Sequence, residues 1–147
     1  MIKLYRAAYH EAGHCVAALR FALPLLEVVI HPDGTGCTKY ARRLGVGEVE
    51  RWAVSAFAGI EAEVDRFGNA PIEEDQHAIA RALAALGLDW GEPRLDGFRE
   101  RARALVREER RAIGTVAAAL LRRRHMSGDE VGVILSAVRP PQALWVA

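Results

Sequence analysis

Only two of the 147 residues are cysteines, Cys15 and Cys37. They are too few and too irregularly placed for a disulfide framework or a zinc-thiolate cluster, so a reducing, cytoplasmic setting is expected. The chain also lacks an excess of charge of one sign: 20 Lys and Arg stand against 19 Asp and Glu, a net +1. Nothing in that balance draws it to nucleic acid or to acidic substrates in bulk, and no nucleic-acid partner is expected. No apolar run reaches the roughly 20 residues of a membrane span. The opening "MIKLYRAAYHEAGH" meets charge and histidine before any stretch apolar enough to be a signal-peptide core. A membrane anchor is therefore not expected. A G-x-x-x-x-G-K-[ST] loop is missing too, which excludes ATP hydrolysis by that route.

What remains is 51% hydrophobic residues on a length suited to one domain with its own core. Alanine-rich periodicity predicts a first helix over 5–23, stopped by Pro24. In "LLEVVIHPDGTGCTKY" the residues Val28, Val29 and Ile30 favour a strand, and His31-Pro32-Asp33-Gly34 is turn chemistry, so a hairpin or small sheet is expected over 26–41. The helical period returns over 47–67, with Gly68-Asn69 as the stop. Pro71 suits the first turn of a helix over 71–86, ended by Gly87. A loop with Trp90, Gly91, Pro93 and Gly97 leads to a single long helix over 98–125. Ser127 with Glu130 forms a capping box for a last helix over 128–137, and Pro140-Pro141 closes the structured part. The fold class read from this pattern is mainly α, with a small β-sheet or hairpin after the first helix.

The first helix carries "AYHEAGHCVAAL". His10 and His14, at i and i+4, project from one side, where both imidazoles can reach a single ion. Glu11, about 100° round the helix, can hold a water at that ion and take its proton, which is the physical content of H-E-x-x-H. The small neighbours Ala12, Gly13, Ala17 and Ala18 let the helix be buried, and buried polar groups need partners.

A catalytic zinc takes three protein ligands and keeps one position open. Glu61, Glu63, Asp65, Glu73, Glu74 and Asp75 compete for the third. Asp75 shares its face with Ile79, Leu83 and Leu86 and is the better placed. Glu74 falls with Ala78, Arg81 and Ala85 on a more solvated stripe, and Glu73 and Glu74 suit the helix N-terminus as charge complements. Glu63 stays open as a rival ligand.

Taken together, these blocks resemble the peptidase domain of the FtsH-type ATP-dependent zinc metalloproteases. "AYHEAGHCVAAL" is similar to that family's zinc helix, and "LEVVIHPDGTGCT" to the strand and turn after it. "FAGIEAEVDRFG" is similar to its A-G-x-x-A-E block, and "LVREERRAIGTVAAALLRRRHMSGDEVGVIL" to its final helices. The resemblance implies a helical zinc-metalloprotease domain in which His10 and His14 bind Zn2+, Glu11 is the catalytic base and an aspartate on a later helix, matched best by Asp75, is the third ligand. The context "NAPIEEDQHAIAR" departs from the family's Gly-Ala run before that aspartate and Ala-Thr pair after it. The family's ATPase and membrane segments have no counterpart in these residues, so the chain reads as a free-standing peptidase domain.

The activity expected is zinc-dependent endopeptidase cleavage of peptides or unfolded protein segments, with a separate ATPase or adaptor as a partner to look for and homo-oligomerisation open. Val28 to His31 is expected to be an edge strand beside the site that pairs with an extended peptide. The alternative is a non-proteolytic zinc-binding regulatory or interaction module. Cys15 reads as a small buried apolar residue and Cys37 as more exposed. His31, His77 and His125 have no ligand-like partner at helical spacing, and Arg122, Arg123 and Arg124 suit a solvated helix end. Asp75→Ala is expected to weaken zinc binding sharply, as read by metal analysis of the purified protein. Unaltered zinc stoichiometry would move the third ligand to Glu63 or Glu74.

Overall fold

A run of alanines and leucines with strong helix propensity opens the chain, and in the computed structural model it is helical as α1, Ile2–Arg20. The structure describes residues 1–87 and 93–138, leaving out the side chains of Ile72, Glu74, Asp75, Ala78, Ala82 and Ala85. The expected loop around Trp90 and the Pro140-Pro141 stop lie outside those residues. Helix α1 ends before the residue that Pro24 would dictate, because Ala22 turns into the left-handed region at φ 56°.

Two strands follow, β1 (Leu25–Ile30) and β2 (Gly36–Tyr40), paired antiparallel with Val28 opposite Thr38 and Ile30 opposite Gly36. The turn between them is held by Asp33, whose Oδ1 accepts from the Thr35 amide at 2.9 Å and from its hydroxyl at 2.7 Å. A short 3-10 turn, Val46–Glu48, leads into α2 (Val49–Phe67). Both α2 and α3 (Ile72–Leu86) stop at glycines with left-handed backbone, Gly68 at φ 87° and Gly87 at φ 64°.

The single helix expected over 98–125 is two helices, α4 (Arg94–Glu108) and α5 (Arg110–Arg123). Glu109 leaves helical geometry between them at φ −102°, ψ 18°. The reason is tertiary: α4 packs on α2 and α5 packs on α1, so one straight rod cannot serve both partners. Helix α4 also begins earlier than expected and includes Gly97, the burial of Phe98, Ala102, Leu105 and Val106 outweighing a glycine cost of about 1 kcal/mol.

Arg124, left-handed at φ 65°, ends α5 and turns the chain into β3 (His125–Ser127). This strand pairs antiparallel with the other side of β1, Met126 opposite Val28, so the sheet order is β2-β1-β3. The edge position expected for Val28 to His31 is therefore corrected: β1 is the central strand, and β2 lies at an edge. Helix α6 (Gly128–Val138) starts at the predicted capping box, the Glu130 amide donating to Ser127 Oγ at 3.1 Å and the Ser127 amide to Glu130 Oε1 at 3.5 Å.

The architecture is mainly helical with a small three-stranded antiparallel sheet, and α1 lies against α2, α5 and the sheet. Among the described residues no helix is long and apolar enough to cross a membrane. Small residues set the contact between α1 and α2. A Cβ on Gly13 would lie 2.5 Å from the Ala58 carbonyl oxygen and 2.9 Å from the Ala62 Cβ, so the α1 and α2 backbones meet where no side chain intervenes. Helix propensity alone favours alanine over glycine by about 1 kcal/mol. Gly13→Ala is nonetheless expected to destabilise the fold by about 1–2 kcal/mol net, through overpacking. Urea denaturation reads the change, and a stabilised variant would show that the helices can part without cost.

Candidate metal and catalytic site

His10 and His14 stand one helical turn apart on α1 and face α2, with their rings edge to face at 81° and centroids 4.7 Å apart. Space for them comes from Gly59, where a Cβ would lie 2.6 Å from His14 Nε2 and 2.9 Å from His10 Nε2. Each ring is held from behind. His14 Nδ1 donates to the Ser55 carbonyl oxygen at 2.7 Å, and His10 Nδ1 donates to Glu63 Oε1 at 2.7 Å. A carbonyl can only accept, so His14 carries its proton on Nδ1. The Glu63 carboxylate imposes the same tautomer on His10.

Glu63 is fully buried, and its second oxygen accepts from Arg6 Nη1 at 3.3 Å. Arg6 is in turn tied to Asn69 through the backbone oxygen at 3.0 Å and Oδ1 at 2.7 Å.

With both Nδ1 atoms donating, both Nε2 lone pairs point inward, and they come to 3.0 Å from one another. Two acceptors at that distance repel unless a proton or a cation lies between them. Two ligand nitrogens on a tetrahedral zinc stand roughly 3.3 Å apart, for Zn–N of about 2.0–2.1 Å. The donor set therefore fits zinc: two imidazoles with matched nitrogens and a hydrogen-bonded outer partner on each ring. Among the described residues no group of three or more His, Cys, Asp and Glu side chains is placed to hold a metal ion. The expected third ligand, Asp75, lies in α3 with its side chain outside the described residues, as does that of Glu74.

The other carboxylates considered from the sequence have different partners. Glu63 faces His10 Nδ1, on the opposite side of the ring from Nε2. Glu61 is buried and accepts from Arg99 Nε at 2.8 Å and Arg103 Nε at 3.3 Å. Asp65 holds Arg110 through both oxygens, at 2.6 and 2.8 Å, and Glu73 is exposed.

Glu11 is buried beside the histidines, where Thr38 Oγ1 on β2 donates to its Oε2 at 2.5 Å. Gly36 is required next to it, since a Cβ there would lie 2.6 Å from the Glu11 Cγ. The three residues of the H-E-x-x-H pattern open into one cavity of about 550 Å³, whose lining also includes Thr38, Tyr40, Trp52, His77 and Arg81.

Burial pushes the Tyr40 phenol up from its usual range, and its hydroxyl stands 3.4 Å from Ser55 Oγ. Cys15 is fully buried, and burial first and the Glu11 charge second push its thiol up, so it stays protonated and inert at neutral pH. Cys37 is half-buried in the cavity lining. Of the remaining histidines, His125 meets Glu27 Oε2 at 2.8 Å and His31 is exposed in the hairpin turn.

Sequence reasoning did not single out Gly36, Thr38, Ser55 or Gly59. The G-x-T spacing of Gly36 and Thr38 on an alternating strand was a legible signal, since it sets both on one face. Ser55 acts through its backbone carbonyl and left no signal in the side-chain pattern. Comparison with protein-family models and with curated proteins finds no match for the chain. Its class rests on what is seen: a mainly helical domain with a small antiparallel sheet and a paired-histidine site.

Glu63→Gln is expected to lower the affinity for added Zn2+ about 10–100-fold, because a ligand histidine depends on its outer hydrogen-bond partner. Competition against a chromophoric chelator measures it. Unaltered affinity with the fold intact would separate Glu63 from the metal's surroundings.

Proposed function

We propose that this chain is a zinc-dependent metalloendopeptidase, cleaving peptides or unfolded protein segments, with a site like that of the FtsH-type peptidase domain. The observation that carries this reading is the pair of inward-facing Nε2 atoms at 3.0 Å, each backed by an oxygen acceptor, beside a buried glutamate in an open cavity. His10 and His14 would hold the zinc, with Asp75 as third ligand. When bound, zinc supplies Lewis-acid polarisation of the scissile carbonyl and acidifies the attacking water.

Glu11 is the general base. It accepts the proton of the attacking water and passes it to the departing amine. Thr38, donating to Oε2, fixes the plane in which that carboxylate accepts. Tyr40 keeps its proton near neutral pH, because burial disfavours the phenolate, and so presents a donor to the cavity.

The substrate backbone pairs with β2. Among the described residues β2 is bonded only to β1, and Gly36, Cys37, Thr38 and Tyr40 of this strand line the cavity. Main-chain pairing at a sheet edge reads an extended conformation more than a sequence, which suits unfolded segments. Folded substrates would need to be opened elsewhere.

Glu11→Gln is expected to lower peptide cleavage by at least about two orders of magnitude while zinc stays bound. Quenched-fluorescence peptides and metal analysis on the same sample test it. Cleavage that continues at the original rate would overturn the mechanism, and a wild-type protein that binds zinc without cleaving any peptide would turn the reading to the non-proteolytic module.

A further inference from the structure

Helix α3 brings two nitrogen-bearing side chains to the cavity, His77 and Arg81, at i and i+4 on one face. Arginine keeps its charge at any physiological pH, and its planar fork matches a carboxylate through two parallel hydrogen bonds. Several arginines of the protein show such pairing: Arg42 holds Glu48 at 2.8 Å, Arg110 holds Asp65 at 2.6 Å and Arg99 holds Glu61 at 2.8 Å. Among the described residues no carboxylate is within ion-pair distance of Arg81. It stands near enough to Tyr40 for its charge to act on that hydroxyl, and Glu11 is the one described carboxylate in the cavity lining. Glu11 is already held by Thr38. The cavity thus offers an exposed fork donor without a described acceptor, in the space that holds the base and the two histidines. Trp52 lines the same space with an apolar ring against which the stem of an acidic side chain can lie.

We infer that Arg81 selects substrates carrying a carboxylate inside the cavity, supplied either by an aspartate or glutamate side chain close to the scissile bond or by the peptide's own C-terminus. As a statement about cleavage this rests on the metallopeptidase reading above. As a statement about binding it does not. His77, one turn earlier on α3, adds a second donor toward the same group.

The test uses short synthetic peptides of one alanine- and leucine-based sequence in three versions: an internal Glu with an amidated C-terminus, Gln in its place with the amide, and Gln with a free C-terminal carboxylate. Binding is measured by titration calorimetry on the Glu11→Gln protein, and kcat/KM on the wild type. One of the two carboxylate peptides is expected to bind about tenfold more tightly than the uncharged one, in the range of a charge-assisted bidentate pair. The peptide that does so names the source of the carboxylate. Adding Arg81→Gln is expected to bring the ratio to about one, whereas Arg81→Lys keeps part of it, since a point charge remains without the fork. Equal or undetectable binding of all three peptides, or a preference that survives Arg81→Gln, overturns the inference. Failure of the metallopeptidase reading looks different: no peptide is cleaved, while the binding preference and its loss in Arg81→Gln persist.

Discussion

Where α1 crosses α2, a methyl group on Gly13 would stand 2.5 Å from the Ala58 carbonyl oxygen, and the two helices can meet only because that methyl is absent. Everything in the site is referred to this crossing. His14 reaches back to Ser55 and His10 to Glu63, so the earlier histidine meets the later residue of α2 and the helices run antiparallel. Gly59 lies between those two acceptors and leaves the volume that the rings occupy. A bulkier residue at any of these points would part the helices or turn the rings. The tautomers, and with them the direction of both Nε2 lone pairs, follow from backbone proximity.

The same helix uses two buried carboxylates for different ends. Glu61 and Glu63 are about 200° apart on α2 and so face opposite neighbours. Glu63 turns to α1, where Arg6 and His10 meet it, and Glu61 turns to α4, where Arg99 and Arg103 meet it. A buried carboxylate without such partners would cost several kcal/mol. Each therefore acts as a register mark for one helix pair. Placing α2 between α1 and α4 is also what divides the C-terminal helical stretch, since α5 must return to α1 while α4 stays on α2.

The sheet completes the site from the other side. Strand β3 closes one flank of β1, which leaves β2 at an edge with Thr38 on Glu11 and Gly36 against its stem. In the proposed chemistry one short strand thereby orients the base and offers a pairing edge to substrate. Helix α3 adds His77 and Arg81 to the same cavity. Periodicity had set Arg81 on a solvated stripe, and it is exposed while also lining the cavity.

Features that depend on neighbours in the chain were legible in the residues alone. The i, i+4 spacing of His10 and His14, the glycine stops after α2 and α3, the Pro24 to Tyr40 change from helix to hairpin and the Ser127 capping box all arise from local backbone geometry. Other features have no local cause. "VREERRAIG" contains no breaker at Glu109, "HMS" is too short to show a strand period, and nothing near Glu63 distinguishes a partner of His10 from a ligand or a surface acid. Those were decided by which surfaces had to meet: burial of two helices on different partners, a third strand for β1, and hydrogen-bond partners for the buried carboxylates Glu61 and Glu63. The sequence by itself determined the pair of histidines and the elements other than the break at Glu109 and the third strand. Only the tertiary structure decided what stands behind each ring and what lines the cavity in front, because those contacts join residues far apart in the chain: 41 positions for His14 with Ser55, 53 for His10 with Glu63 and 27 for Glu11 with Thr38.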